Sequence, residues 1–191
     1  MKTLVIAAKL IGVMTILTGM LYPVLMLGAA QLLFPHEANG SLIYSDGRLI
    51  GSELIAQEFV DSTYFWPRPS GIGYNPLPSS GTNLGPTSKS LLGQITDRRA
   101  TLAAANGDKQ PPDDLLLASG SGLDPHISPE AARYQIERVA RARGLDLDQS
   151  ARLRQLVEDS VEPYSLGFIG QPRVNVLKLN IAIDSLFYVQ Q

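Results

Sequence analysis

The chain has 191 residues, room for one ordinary domain plus an appendage but not for two full domains. Its formal net charge is −2 with 18% charged residues, so no global basic field points to nucleic acid. The absence of cysteine excludes disulfides, thiolate metal sites, thiol catalysis and lipid attachment through Cys. The two histidines, His36 and His126, exclude a His-rich metal centre.

From Leu10 to Phe34 no residue is charged and most are Leu, Ile, Val, Met, Ala or Gly. A bilayer core of about 30 Å needs about 20 helical residues, so this stretch is long enough to span it. Lys2 and Lys9 precede the run, while Glu37 and Asp46 are the first acids and follow it. That asymmetry predicts a cytoplasmic N-terminus (1–9), a transmembrane helix (10–34) and an extracytoplasmic domain (35–191). All 18 acidic residues lie in the outer part with all but two of the 16 basic ones, giving it about −4.

A cleaved signal peptide is the rival reading, because Gly28, Ala29 and Ala30 offer a small-residue cleavage site before Gln31. The apolar run exceeds the usual signal core and continues through Leu32, Leu33 and Phe34, which favours a retained anchor. Pro23 is expected to kink the helix or to lie where a neighbouring helix tolerates the lost backbone bond. Ala8, Gly12, Thr15 and Gly19 align on one helical face where another helix could approach closely.

The outer part reads as one compact α+β unit. Leu42–Ser45 and Arg48–Gly51 flank Asp46-Gly47, a dipeptide suited to a hairpin turn. Ser52 is expected to cap a helix through about Val60, with Leu54, Ile55 and Phe59 on its apolar face. Prolines and glycines between Trp66 and Pro86 break every period and predict a long loop. Tyr64, Phe65, Trp66 and Tyr74 give that loop aromatic anchors, so it reads as ordered and facing a partner.

A helix follows over about Ser88–Ala105, with Leu91, Leu92, Ile95 and Leu102 inward. Asn106–Asp114 is a polar linker, and Leu115–Ala118 a short buried strand or turn. Ser128 then caps a helix with Pro129 at its first position, and Gly144 stops it after Arg143. Asp148 opens a further helix to about Ser160, with Ala151, Leu156 and Val157 inward. From Arg173 to Tyr188 the alternation of Asn175, Leu177, Leu179, Ile181 and Ile183 predicts a strand.

Candidate chemistry is thin. Ser119-Gly120-Ser121-Gly122 lacks the leading Gly of a nucleophile elbow and reads as a flexible turn. A hydrolase using Ser121 stays open as a different class of function. Asp124 and His126 read as a hydrogen-bonded pair ordering a turn, because no second His or Cys stands at ligand spacing. Phosphate-loop sequence is absent, which argues against an independent nucleotide hydrolase. Arg133, Arg138, Arg141 and Arg143 read as a solvated basic helix face, with an acidic partner or phosphate as the alternative.

Longer strings carry a family resemblance. They are Leu49-Ile50-Gly51-Ser52, Tyr64-Phe65-Trp66-Pro67-Arg68-Pro69-Ser70, Tyr74-Asn75 and Ser80-Gly81-Thr82-Asn83-Leu84-Gly85-Pro86. Most specific are the ten residues from Ser119 to Ser128 and Val174-Asn175-Val176-Leu177-Lys178-Leu179-Asn180, and Tyr134-Gln135 followed by Arg138-Val139-Ala140 and Ala142-Arg143 also fits. Together they resemble the C subunit of the bacterial Kdp potassium-transporting ATPase over nearly the whole chain. Ala56 before Gln57, where the family often has Gly, and Gly71, where it often has Ala, are small departures.

The resemblance implies a non-catalytic accessory subunit of a high-affinity potassium uptake complex in the bacterial inner membrane. Its partners would be a potassium-selective channel-like subunit, a P-type ATPase subunit, a small single-span subunit and the lipid membrane, with no nucleic acid. The complex would use ATP, magnesium and potassium, while this chain would bring no cofactor and no metal site of its own.

In that family the C subunit is needed for assembly and activity. It has been proposed as a catalytic chaperone that raises the ATP affinity of the ATPase subunit. Gln135 matches the glutamine linked to that nucleotide effect. Candidates for partner contact are Gly12 and Gly19 in the membrane, and Tyr64, Trp66, Arg68, Tyr74, Asn75, Asn83, Ser121, Asp124, His126 and Asn175 outside. An extracytoplasmic domain cannot touch cytoplasmic ATP, so the expected role is to cover the external mouth of the channel-like subunit, with nucleotide effects transmitted indirectly. The alternative is a secreted or envelope-tethered binding module.

Overall fold

A computed structural model describes residues 1–187 other than 46 and 108. The chain divides into two compact units, Met1–Ser52 and Glu53–Gln191.

The first unit begins with a helix from Lys2 to Leu33, 32 residues long, apolar enough to cross a membrane and unburied within the chain. It consists of α1 (Lys2–Ile16), a π-helical turn (Leu17–Leu21) and α2 (Tyr22–Leu33). The predicted span, 10–34, is therefore the apolar part of a longer helix that starts near Lys2 and ends one residue before Phe34.

The π turn ends two residues before Pro23. Proline has no N–H to offer the preceding turn, and widening the helix redistributes the carbonyls left without a partner. Thr18 adds a side-chain bond, its hydroxyl donating to the Met14 carbonyl at 2.7 Å.

A single turn, α3 (Pro35–Ala38), leads to the hairpin of β1 (Leu42–Ser45) and β2 (Arg48–Ser52). Ser45 pairs with Arg48 across the predicted two-residue turn, and a bulge interrupts the register between Ile43 and Tyr44. Gly47 takes φ +73°, the left-handed conformation such a turn requires; Asp46 lies outside the described residues.

The second unit opens differently from the sequence expectation. Residues 53–60 form no helix. Ser52 belongs to β2, and its hydroxyl donates to the Gly40 carbonyl at 2.7 Å instead of capping a helix. The backbone beyond bonds to distant residues: Ala56 N–H donates to the Leu123 carbonyl at 2.9 Å. Tertiary partners thus take the backbone groups a helix would have used.

The predicted long loop exists, and no helix or strand appears until α4 (Lys89–Asn106), capped by Ser88. Of the apolar positions expected on α4, Leu102 is buried but Leu92 is 55% exposed. Where a short buried strand or turn is expected, Leu115 and Leu116 are buried in a single helical turn, α5 (Asp113–Leu116). β3 (His126–Ile127) runs into α6 (Pro129–Ala142), with Ser128 capping as expected.

α7 (Leu147–Asp159) is capped by Asp146 in a reciprocal box with Gln149, two residues earlier than expected. Its inward residues are Leu153 and Val157, while Ala151 is exposed. β4 (Val161–Glu162) and β5 (Arg173–Asn175) complete a three-stranded antiparallel sheet with β5 central.

The predicted C-terminal strand stops at Asn175, and α8 (Val176–Leu186) takes over; Tyr188 lies outside the described residues. Asn175 causes the change, its side-chain oxygen accepting from Lys178 N–H at 3.1 Å as a helix cap. Val176, Leu179, Asn180 and Ile183, at helical spacing, are buried. The core lies where α6, α7 and α8 meet the sheet, around Val139, Leu153, Val157, Val174, Leu179 and Ile183, all fully buried.

Candidate functional site

The loop before α4 carries several of the motif residues, and two carboxamides fix its start. Gln135 on α6 is fully buried. Its side-chain oxygen accepts from Trp66 N–H at 2.8 Å and its amide donates to the Trp66 carbonyl at 3.1 Å. Asn180 on α8 treats Phe65 identically, at 2.8 and 3.0 Å. Two side chains thus replace the neighbouring strand that an extended buried segment would otherwise need.

Arg138 lies one helical turn beyond Gln135 and is 3% exposed. Its guanidinium donates to the carbonyls of Ser62 (2.6 Å) and Tyr64 (3.0 Å), to Asn106 Oδ1 (3.1 Å) and to Gln135 Oε1 (2.6 Å). It also stacks 3.9 Å from the centre of the Trp66 ring. Burial pulls its pKa down to about 10, which still leaves it charged at neutral pH. Neutral acceptors, an aromatic face and the charge of nearby Asp61 stand in for a direct ion pair.

The other arginines on this helix are also engaged, with the exception of Arg141, which is exposed. Arg143 bonds Asp184 at 2.7 Å and the Thr63 carbonyl at 2.7 Å, and Tyr64 donates to the same carboxylate at 2.9 Å. Arg133 forms a two-pronged pair with Glu158, both contacts 2.6 Å. The expected solvated basic face is therefore corrected: three of its four members tie the helix to other segments.

A second cluster forms where the loop meets the turn before β3. Asp124 accepts from the Arg68 guanidinium at 3.1 Å and from His126 N–H at 3.1 Å, with His126 Nδ1 3.4 Å away. The expected Asp124–His126 pair is present, and Arg68 joins it. Tyr74 donates to the Arg68 carbonyl at 2.9 Å, and burial pushes its phenol up to about 12. An open cleft of about 320 Å³ is lined here by Arg68, Asp124, His126 and Arg173, among others.

Burial opposes charging of Asp124, but hydrogen bonds from His126 and the charge of Arg68 prevail and hold its pKa below the usual 3.8. A carboxylate whose pKa falls on folding stabilises the fold above its unfolded value and loses that contribution as pH drops through the folded one. Urea melts should show Asp124→Asn losing stability near pH 7, and losing less of it than the parent on acidification below about pH 4. An equal acid sensitivity in both chains would contradict this assignment.

The 119–122 turn is a fitted joint. Its neighbours are too close for added atoms: a Cβ on Gly122 would lie 2.6 Å from Ile72 Cγ1, and one on Gly81 2.6 Å from the Gly120 carbonyl oxygen. Ser121 Oγ accepts from Leu123 N–H at 3.1 Å, a turn-forming bond.

Asn175 pairs with His126 across the sheet, caps α8 and donates to the Glu53 carbonyl at 2.8 Å. Asn75 Oδ1 accepts from Leu77 N–H at 3.0 Å, and exposed Asn83 takes φ +52°. The structure thus gathers Tyr64, Trp66 and Gln135 at one place, and Arg68, Tyr74, Asp124, His126 and Asn175 around another. Gly12 and Gly19 belong to the long N-terminal helix of the first unit.

Sequence reasoning missed Arg138 and Asn180 as organisers. Their signal was a polar side chain at core spacing on an otherwise apolar helix face. Among the described residues no group of three or more His, Cys, Asp or Glu could hold a metal ion.

Residues 4–185 match the profile of the family described as KdpC, the K+-transporting ATPase c chain. A protein of Methylococcus capsulatus called potassium-transporting ATPase KdpC subunit is 52% identical, over 94% of this chain and 96% of its own length. Proteins of the same name from Rhodospirillum rubrum and Polaromonas naphthalenivorans are 49% and 51% identical, over 98% and 94% of this chain and 97% and 93% of theirs. With a match running from the N-terminal apolar helix through α8, the chain belongs to the KdpC family, the c chains of potassium-transporting ATPases.

Proposed function

We propose that the chain is a non-catalytic accessory subunit of an ATP-driven potassium uptake complex, needed for its assembly and activity. A P-type ATPase subunit would hydrolyse the ATP. The first helix anchors the chain in the bacterial inner membrane with the N-terminus cytoplasmic. The second unit lies outside and caps the external side of a potassium-selective subunit, and a small single-span subunit completes the complex.

The observation that carries this reading is the state of Gln135. Its oxygen and its amide each have two partners, and no part of it reaches the surface. A nucleotide could reach it only if α6 came apart from the 61–68 segment. Any effect of this position on ATP affinity therefore acts through the shape of the subunit and its grip on partners. In that sense the chaperone role is indirect.

Topology is testable because the chain has no cysteine to remove. Leu147 is 89% exposed, so Leu147→Cys should react with a membrane-impermeant thiol reagent in intact spheroplasts. Lys2→Cys should react only after permeabilisation. The reverse pattern would overturn the arrangement, and a mature chain short by about 30 residues would turn the reading towards a secreted binding module.

The small-residue face gives a second test. A Cβ on Gly12 meets nothing within 4 Å, and one on Gly19 meets only Thr15 Cγ2 at 4.0 Å. Gly12→Leu with Gly19→Leu should leave the helix intact and lower recovery of the complex several-fold, by holding a neighbouring helix away. Undiminished recovery would show the face to be incidental.

A further inference from the structure

β4 and β5 are joined by residues 163–172, and the tip of this connection closes on itself. Ser165 and Ile169 exchange two backbone hydrogen bonds of 2.9 Å, and Gly167 N–H donates to the Tyr164 carbonyl at 3.1 Å. The turn nevertheless holds large apolar side chains out in solvent: Leu166 is 83% and Phe168 78% exposed. Leu166 also takes φ +53°, a conformation that costs a leucine and suits glycine or asparagine. No burial of that side chain offsets the cost.

No residue from Tyr164 to Gly170 is charged. At the base of the turn Glu162 and Arg173 neutralise each other at 2.9 Å, so covering the tip would bury no unmatched charge. The chain then continues through Gln171 and Pro172 into the wall of the cleft that holds Arg68, Asp124 and His126.

We propose that this tip is a docking anchor, with Leu166 and Phe168 entering an apolar recess on the outward face of a membrane-embedded partner subunit of the same ATPase. The inference rests on the accessory-subunit reading and names the part of the surface that engages. Insertion into lipid favours apolar segments flanked by basic residues. Here the flanking arginine is paired with an acid, and a hydrogen-bonded turn sets the two side chains in one fixed arrangement, as rigid interface anchors require.

Two side chains are far too small for an independent interface. They suffice for a subunit already tethered by its own helix, because tethering makes the second contact effectively intramolecular.

The test uses the full chain within its complex. Leu166→Asn keeps the left-handed backbone at ease while removing the apolar group, and Phe168→Ser removes the second. The double variant should melt as the parent does, yet lower recovery of partner subunits by roughly 10- to 100-fold. Parent-like recovery would overturn the inference. Independently, a polarity-sensitive dye on Phe168→Cys should report water for the chain alone in nanodiscs and an apolar site in the complex. An apolar signal from the chain alone would assign the tip to lipid, and water in both states would leave it uncovered; either result overturns the proposal. If the unaltered chain recovers no partner, the subunit reading itself fails, and this inference with it.

Discussion

Replacing Arg138 by methionine should cost the second unit about 3–5 kcal/mol, a large share of the stability of an ordinary domain. The apolar stem survives, but the Ser62 and Tyr64 carbonyls, Asn106 and Gln135 each lose a donor, and Trp66 loses the cation against its face. Arg138→Lys should recover only part of the loss, because an ammonium cannot reproduce a planar fork aimed at four acceptors. Trp66 is the single tryptophan of the chain, so denaturant melts followed by its fluorescence report on the network directly. A methionine variant that melts with the parent would mean that these bonds contribute little.

Gly122→Ala should be nearly as damaging, at about 2–4 kcal/mol. The backbone there has φ +71°, and the added methyl would meet Ile72 Cγ1 at 2.6 Å and the Ser80 carbonyl oxygen at 2.9 Å. Gly120, two residues away, has open space at its Cβ position, and Gly120→Ala should melt within about 1 kcal/mol of the parent. The contrast is the informative part, because a flexible turn would accept both changes alike. Circular dichroism melts of the two variants side by side would separate the cases.

Much of the architecture could be read from local chemistry. Ser128 announced its helix because a hydroxyl before a helical stretch accepts from its first free N–H groups. The hairpin was legible from two short apolar runs around a turn dipeptide, and the long apolar N-terminal helix from length and lack of charge.

The errors arose where two patterns coincide. Leu177, Leu179 and Ile183 satisfy strand alternation, while Val176, Leu179, Asn180 and Ile183 satisfy a helical face; the cap at Asn175 decides, and it can be recognised only with the fold in hand. Residues 53–60 had a helical pattern too, but partners at Leu123 and Asn175 claim backbone groups there.

The candidate site divides along similar lines. The Asp124–His126 pair was legible because the two residues stand two apart in sequence. Arg68, Gln135, Arg138 and Asn180 depend on contacts between segments 56 to 115 residues apart, which no local pattern encodes. Arg138 was misread for a physical reason. Arginine on a helix is usually solvated, and burying it requires several acceptors, which the fold brings here from Ser62, Tyr64, Asn106 and Gln135.

The most direct test of the central claim is affinity purification of the full chain from mildly solubilised membranes, with potassium-stimulated ATP hydrolysis measured on the eluate. The account predicts co-elution of a channel-like subunit and a P-type ATPase, with potassium-stimulated hydrolysis that is lost when the complex is prepared without this chain. A chain recovered alone from the soluble fraction, or a complex equally stable and active without it, would contradict the account.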